Sequence, residues 1–191
     1  MDWWHFYVGG WLTTAVLSAV LTYVCQRVAP GLGFVDKPLD EAHKKHGKVT
    51  PVMGGAAMCV AWVLVIAAGL FGSAACARLV SSQVSLFLPG IQTVRPQLYA
   101  IVLGAIGITA LGMVDDRRGL SAAAKFAGQF AVAGSVACWG VRITAFVSNP
   151  FLTWIITTLW ILTIINALNF FDNMDALAGG TAAVAAFFFL F

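Results

Sequence analysis

Long apolar stretches alternate with short polar connections along the whole chain. Six stretches come close to the roughly 20 residues that a helix needs to cross a bilayer. They are residues 4–24, 52–71, 98–114, 126–141 with a start that reaches back as far as 122, 151–168 and 177–191. The pattern predicts an all-α, polytopic membrane protein with about six transmembrane helices in a single domain over residues 1–191. The last stretch reaches residue 191 without a following charge, so we expect this domain to be C-terminally incomplete.

The composition agrees with a membrane protein. Hydrophobic residues make up 60% of the chain and charged residues only 10%, whereas about a quarter of a soluble domain is charged. So few charges do not cover a globule in water, and the expected surroundings are the lipid bilayer. No nucleic-acid partner is expected.

The basic residues predict the orientation. Eight of the eleven Lys and Arg residues lie in the first and third connections, and basic connections face the cytoplasm. This places the N-terminus outside and the first, third and fifth connections inside. Seven of the eight acidic residues fall in those same three connections. The polar chemistry is therefore expected on the cytoplasmic face.

The first connection is rich in lysine and histidine. It suits an anchor beside anionic lipids, but the flanking Pro38 and Pro51 and the Gly54-Gly55 pair also suit a site where backbone approaches a bound phosphate. A zinc site at His43 and His46 is disfavoured, because zinc sites carry more N or S ligands and a lysine-rich stretch repels a dication. The anchor and the phosphate site both remain open.

An acidic pair, Asp115-Asp116, ends the third stretch and is followed by Arg117-Arg118. The four charges could simply neutralise one another at a helix end. Alternatively, paired carboxylates hold Mg²⁺ while phosphate oxygens complete its shell, and a neighbouring carboxylate can act as a general base.

A second polar cluster follows the fifth stretch, with no basic residue near it. Its amide and acid side chains are Asn166, Asn169, Asp172, Asn173 and Asp175. On one continuous helix, Asn166 and Asp175 would lie half a turn apart. We therefore predict a break near Asn173 that presents the cluster to a shared cavity, although a solvated loop is an alternative.

Taken together, these motifs resemble those of a known family. They comprise Asp36-Lys37-Pro38, then His46, Pro51 and Gly54-Gly55, then Gly112, Asp115-Asp116, Gly119-Leu120, Lys125 and Gln129, and finally Asn166, Asn169, Asp172, Asp175 and Leu177-Ala178. Over about residues 34–180 the chain resembles the N-terminal part of the polyprenyl-phosphate N-acetylhexosamine-1-phosphate transferases.

The resemblance implies a Mg²⁺-dependent enzyme, with Mn²⁺ as a substitute, in the bacterial inner membrane with its active face cytoplasmic. It would transfer a sugar 1-phosphate from a UDP-N-acetylhexosamine to undecaprenyl phosphate and release UMP. Sugar identity stays open with a weak preference for N-acetylglucosamine, and the oligomeric state stays open, a homodimer included.

Carried over by position, the resemblance also implies roles for single residues. Asp115 and Asp116 would be catalytic, Asp115 as base or phosphate-orienting carboxylate and Asp116 beside the metal. Further substrate or metal contacts would come from Asn169, Asp172 (also a metal ligand), Asp175, Lys125 and Lys48, with Lys44 or Lys45 as alternatives to Lys48.

Two departures limit the carry-over. Ala176 stands where the family usually has glycine, and the family's further metal-binding aspartate and histidine-containing loop are not in this chain. We therefore expect this chain alone to be inactive.

Two functions of other classes remain alternatives. One is a cation transporter, which would place carboxylates near mid-span and often shows repeated halves. The other is a non-catalytic membrane fragment.

Overall fold

The computed structural model describes residues 4–36, 50–75, 88–144, 147–171 and 177–188. These residues form six α-helices: α1 (Trp4–Leu32), α2 (Gly54–Ala75), α3 (Leu88–Arg118), α4 (Ala122–Cys138), α5 (Pro150–Phe171) and α6 (Leu177–Phe188). Two short strands, β1 (Val35–Asp36) and β2 (Thr50–Pro51), pair antiparallel. The predicted all-α, polytopic fold is confirmed.

Four of the helices are long and apolar enough to cross a membrane. These spans are Tyr7–Leu32, Gly54–Gly72, Gln92–Arg118 and Pro150–Phe171. Helix α4 has 17 residues and α6 has 12 within the described part of the chain. Large apolar side chains such as Trp11 (69% exposed) and Phe71 (72% exposed) lie on the helix surfaces. Lipid tails are as apolar as these side chains, so contact with lipid costs them no hydrophobic free energy.

Several helices extend beyond the apolar stretches that predicted them. Helix α1 continues to Leu32, and α3 begins at Leu88 and continues past the acidic pair to Arg118. Hydropathy reports where the bilayer ends, whereas a helix ends where its backbone finds another hydrogen-bonding arrangement. Asp115 and Asp116 lie in the last turn of α3, at the helix end where they were expected.

Residues 1–126 form one compact unit. In this unit α1 packs against α2, and α2 against α3. The buried apolar side chains in these helices are small: Ala29, Ala57, Ala61 and Ala100. Small residues let membrane helices approach closely. Close packing matters here because the hydrophobic effect does not drive helices together within lipid.

The strand pair closes the base of the first connection. Val35 lies opposite Pro51, and Asp36 opposite Thr50. Helix α1 turns into β1 at Gly33, whose φ of 77° belongs to the left-handed region that glycine adopts without strain. The backbone N–H of Phe34 then donates to Ala29 O at 3.0 Å. Together these bonds hold Phe34 at the corner between helix and strand.

Residues 127–191 form the second compact unit. Helices α4 and α5 run antiparallel there, because Trp154 Nε1 donates to Gly134 O at 2.9 Å while Asn166, later in α5, donates to Gln129, earlier in α4. Asn149 caps the N-terminus of α5 by accepting from the Phe151 N–H at 2.9 Å. Helix α6 contacts α5. The single domain over residues 1–191 stays a prediction.

Candidate active site

The acidic pair lies where α3 ends in a tight turn. Gly119 has a φ of 62°, and its N–H donates to Asp115 O at 2.8 Å. The next N–H, that of Leu120, donates to the Asp115 carboxylate at 3.0 Å. Asp115 therefore accepts through both its backbone and its side chain at this turn, and so fixes the direction in which the chain leaves α3.

The same turn brings Lys125 back to Asp115. Ser121 begins α4 as its N-cap, since its Oγ accepts from the Ala124 N–H at 3.3 Å and its carbonyl accepts from the Lys125 N–H at 2.9 Å. Lys125 Nζ lies 2.7 Å from Asp115 Oδ2, and both side chains are largely shielded from solvent. Two residues predicted as site residues are thus an ion pair.

Asp116 occupies a different position from its neighbour. Successive helical residues point about 100° apart, and the Asp116 side chain is exposed while that of Asp115 is half-buried. The two carboxylates therefore differ in surroundings: Asp115 holds Lys125, and Asp116 faces the outside of the turn. Asp115 pairs with Lys125, which lies outside the four charged residues 115–118. Neutralisation among those four residues therefore does not explain the surroundings of the Asp115 carboxylate.

Arg117 connects the acidic turn to the base of the first connection. Its guanidinium lies 5.5 Å from the centroid of the Phe34 ring, a cation–π contact. Phe34 O also accepts from the Val52 N–H at 3.2 Å. The strand pair is therefore held beside the end of α3. Lys48, Lys44 and Lys45, predicted to contact phosphate, lie outside the described residues, as do His43 and His46.

The second polar cluster is described only in part. Asn166 and Asn169 lie in the last turns of α5, which ends at Phe171, and both side chains are exposed. Asn166 Nδ2 donates to Gln129 Oε1 at 2.9 Å and to Leu162 O at 2.8 Å. Asp172, Asp175 and the break predicted near Asn173 lie outside the described residues.

The carboxylates of the acidic turn suit a hard cation. In the described part of the chain, no three His, Cys, Asp or Glu side chains group as a metal site. Mg²⁺ is commonly bound by one or two carboxylates while water and substrate phosphates supply the remaining oxygens. Asp116 fits a site of that kind. The oxygen lone pairs of Asp115 that accept no bond from Lys125 or Leu120 fit it as well.

Two contacts of the site were not apparent from the sequence. The Arg117–Phe34 contact joins residues more than eighty positions apart, and the Asn166–Gln129 bond joins residues 37 positions apart. Among the sequence motifs, Gln129 belongs only to those that carry the family resemblance. A lone glutamine amid alanine and phenylalanine in a membrane helix is the signal that points to a hydrogen-bonded polar residue.

Sequence comparison decides which family carries these motifs. Residues 98–191, which contain both acidic clusters, match glycosyl transferase family 4. The family resemblance is confirmed. The chain is 32% identical over 186 residues to the probable undecaprenyl-phosphate N-acetylglucosaminyl 1-phosphate transferase of Bacillus subtilis. The match covers 93% of the chain and 45% of that protein.

Two further relatives differ in their named substrates. The chain is 30% identical over 185 residues to the decaprenyl-phosphate N-acetylglucosaminephosphotransferase of Mycobacterium tuberculosis, covering 92% of the chain and 42% of that protein. It is 31% identical over 110 residues to the phospho-N-acetylmuramoyl-pentapeptide-transferase of Synechocystis, covering 48% of the chain and 30% of that protein. The chain spans less than half the length of these relatives. No solved structure matches the chain.

Proposed function

We propose that the full-length protein to which this chain belongs transfers N-acetylhexosamine 1-phosphate from a UDP-sugar to undecaprenyl phosphate and releases UMP. The product would begin a cell-wall or surface polysaccharide in the bacterial cytoplasmic membrane, with the active face cytoplasmic. N-acetylglucosamine is the favoured sugar, because the relatives matched over more than nine-tenths of the chain are named for it.

The observation that carries this proposal is the Asp115–Lys125 ion pair beside Asp116, at the turn between α3 and α4. A carboxylate holds the lysine side chain in position, and an ammonium group has three N–H donors. One donor meets Asp115, which leaves two for phosphate oxygens. The turn lies at a helix end, which is where a lipid phosphate in the headgroup layer would reach it.

The reaction brings negative charges together. An oxygen of the lipid phosphate attacks the phosphorus that bears the sugar, the bond from that phosphorus to the bridging oxygen breaks, and UMP leaves with the electron pair. Lys125 would neutralise the diphosphate, and Asp115 would hold Lys125 and orient it. A bound Mg²⁺ would supply further charge neutralisation, with Asp116 and Asp172 as its proposed ligands.

The amide cluster would bind the donor nucleotide. Asn169, Asp172 and Asp175 are its proposed contacts, and Lys48 would reach the diphosphate from the first connection. Amides and carboxylates recognise the N–H and C=O groups of a base or the hydroxyls of a ribose through directional hydrogen bonds. We assign these contacts to the nucleotide and not to the lipid.

Product analysis tests the proposal directly. Membranes that contain the full-length protein are incubated with undecaprenyl phosphate and radiolabelled UDP-N-acetylglucosamine. We expect lipid-linked sugar and UMP in equal amounts, and we expect added UMP to run the reaction backwards, because one phosphoanhydride replaces another of similar energy. Release of UDP would mean ordinary glycosyl transfer. Absence of any nucleotide product would favour a cation transporter instead.

A further inference from the structure

We propose that Gln129 is a positioning residue, which holds Asn166 and thereby fixes the orientation of the polar end of α5 for binding of the nucleotide-sugar. This inference rests on the proposed function above, and it assigns a task to a residue that makes no predicted substrate contact. It concerns only the second compact unit, in which α4 and α5 lie side by side.

The hydrogen bonds of Asn166 determine its orientation. Its amide Nδ2 donates to Gln129 Oε1 on the neighbouring helix at 2.9 Å and to Leu162 O on its own helix at 2.8 Å. A side-chain amide has two N–H donors, so both are used. The carbonyl Oδ1 is then the atom of Asn166 that remains to accept a bond from another group.

Gln129 is buried to a degree unusual for its residue type. Only 3% of it is exposed, although glutamine is mostly exposed in proteins. Without its bond to Asn166, its carbonyl would lose a partner in an apolar setting, which costs free energy. A rotation of α5 by one residue, about 100°, would break that bond. The pair therefore selects one rotation of α5 relative to α4.

The rotation of α5 decides where its polar side chains lie. Asn169 follows Asn166 by three positions, so the two share one face of the helix. Both belong to the cluster proposed to bind the nucleotide. An error in the rotation of α5 would move Asn169 away from its ligand, and Gln129 opposes that error without contacting substrate.

A second bond between the same helices provides a matched control. Trp154 Nε1 donates to Gly134 O at 2.9 Å, the same length as the Asn166–Gln129 bond. Trp154 lies twelve residues before Asn166, or about 18 Å along α5, at the end away from the polar cluster. Loss of either bond weakens the α4–α5 contact, but only the Gln129 bond lies beside the proposed site.

The test compares Gln129→Met with Trp154→Phe in the full-length protein. We expect Gln129→Met to raise the KM for UDP-N-acetylglucosamine about tenfold, as loss of one membrane hydrogen bond allows, and to leave the KM for undecaprenyl phosphate within about twofold. Both variants should lower Tm by a similar amount, but Trp154→Phe should change neither KM. In an Asn166→Ala background, Gln129→Met should cause no further rise. Equal KM effects from Gln129→Met and Trp154→Phe would overturn the inference.

A second readout does not depend on activity. A spin label is placed at Asn169→Cys in the full-length protein after its native cysteines, including the four of this chain, are replaced by alanine. We expect Gln129→Met to change the label's spectrum toward greater mobility and Trp154→Phe to leave it unchanged. If the wild-type protein forms no UMP, the proposed function fails and the spin label decides the positioning role. An unchanged spectrum in Gln129→Met would refute that role.

Discussion

Lys125 follows Asp115 by ten positions, and the chain folds so that Lys125 Nζ lies 2.7 Å from Asp115 Oδ2. A charge-assisted hydrogen bond of this length is among the stronger contacts that two side chains make. Because Asp115 also accepts from the Leu120 N–H, the carboxylate is bound on both oxygens. Its position is therefore fixed before any ligand arrives, and such preorganisation lets a charged site stabilise a transition state.

The pair should act as one unit. In the full-length protein, Asp115→Asn and Lys125→Met should each reduce kcat, since each leaves the other side chain misplaced. The double variant should retain at least about tenfold more activity than the product of the two single effects, because contacting residues are non-additive. Arg142 bonds to Ala137 O at the far end of α4. Asp115→Asn combined with Arg142→Gln should be additive, and additivity in both pairs would mean that Asp115 and Lys125 work separately.

The exposed carboxylate has its own test. Asp116→Asn should reduce transferase activity at least about a hundredfold, because it removes a charge that faces the proposed metal and phosphates. Asp115→Asn and Asp172→Asn should do the same. EDTA should abolish activity, and Mg²⁺ or Mn²⁺ should restore it. Asp2→Asn provides the control, since Asp2 lies in none of the three polar connections predicted to face the cytoplasm. Wild-type rates in the Asp116 variant would remove it from the site.

At the scale of the helices, the turn between α3 and α4 does most to shape the site. It consists of Gly119, Leu120 and Ser121, and each contributes a backbone or side-chain hydrogen bond to a helix end. Gly119 reverses the chain with a φ of 62°, which costs a residue with a Cβ about 1–2 kcal/mol. This small turn is why the ends of two apolar helices can form a charged site.

Gly119→Ala tests that reasoning. We expect it to lower the Tm of the protein in detergent and to reduce activity, because the strain falls on the turn that brings Lys125 to Asp115. Gly112→Ala is the matched control on α3, since a Cβ at either glycine meets no atom within 4 Å and only Gly119 has a positive φ. The control should keep or slightly raise Tm, as alanine favours helix. Equal Tm values for both variants would contradict the strain argument.

The helices also show what the sequence could and could not predict. The apolar stretches were enough to predict the fold class. The clusters of acid and amide residues at their ends selected Asp115, Asp116 and Asn169 as candidate site residues, and that choice stays a prediction. The side-chain partners of these residues could not be predicted from the sequence. The partner of Asp115 depends on the φ of Gly119, and the partner of Asn166 depends on how α4 and α5 pack. The acidic pair lies at the C-terminal end of α3 as expected, but α3 begins at Leu88, ten positions before the apolar stretch, because backbone hydrogen bonding does not stop at the edge of the bilayer.

At the scale of the whole molecule, the distribution of charge is the organising feature. Apolar helices bury mainly alanine, glycine and threonine against one another and leave their large side chains to lipid. Most charged residues lie in the connections or in the helix turns next to them, because a charge within the bilayer is expensive. If the first, third and fifth connections share the cytoplasmic face, the lysine-rich segment, the acidic turn and the amide cluster all meet one pool of nucleotide-sugar.

That shared face can be tested by labelling. In a cysteine-free background, single cysteines replace Asp40 in the first connection, Ser121 in the third and Ser148 in the fourth. Basic connections stay in the cytoplasm, so an impermeant maleimide should modify Ser148→Cys in intact cells and reach Asp40→Cys and Ser121→Cys only after the membrane is opened. Ser148 and Ser121 are both exposed, so a difference between them reports the side of the membrane. Modification of Ser121→Cys in intact cells would place the acidic turn outside, away from any cytoplasmic nucleotide, and the proposed transferase reaction could not then occur at this turn.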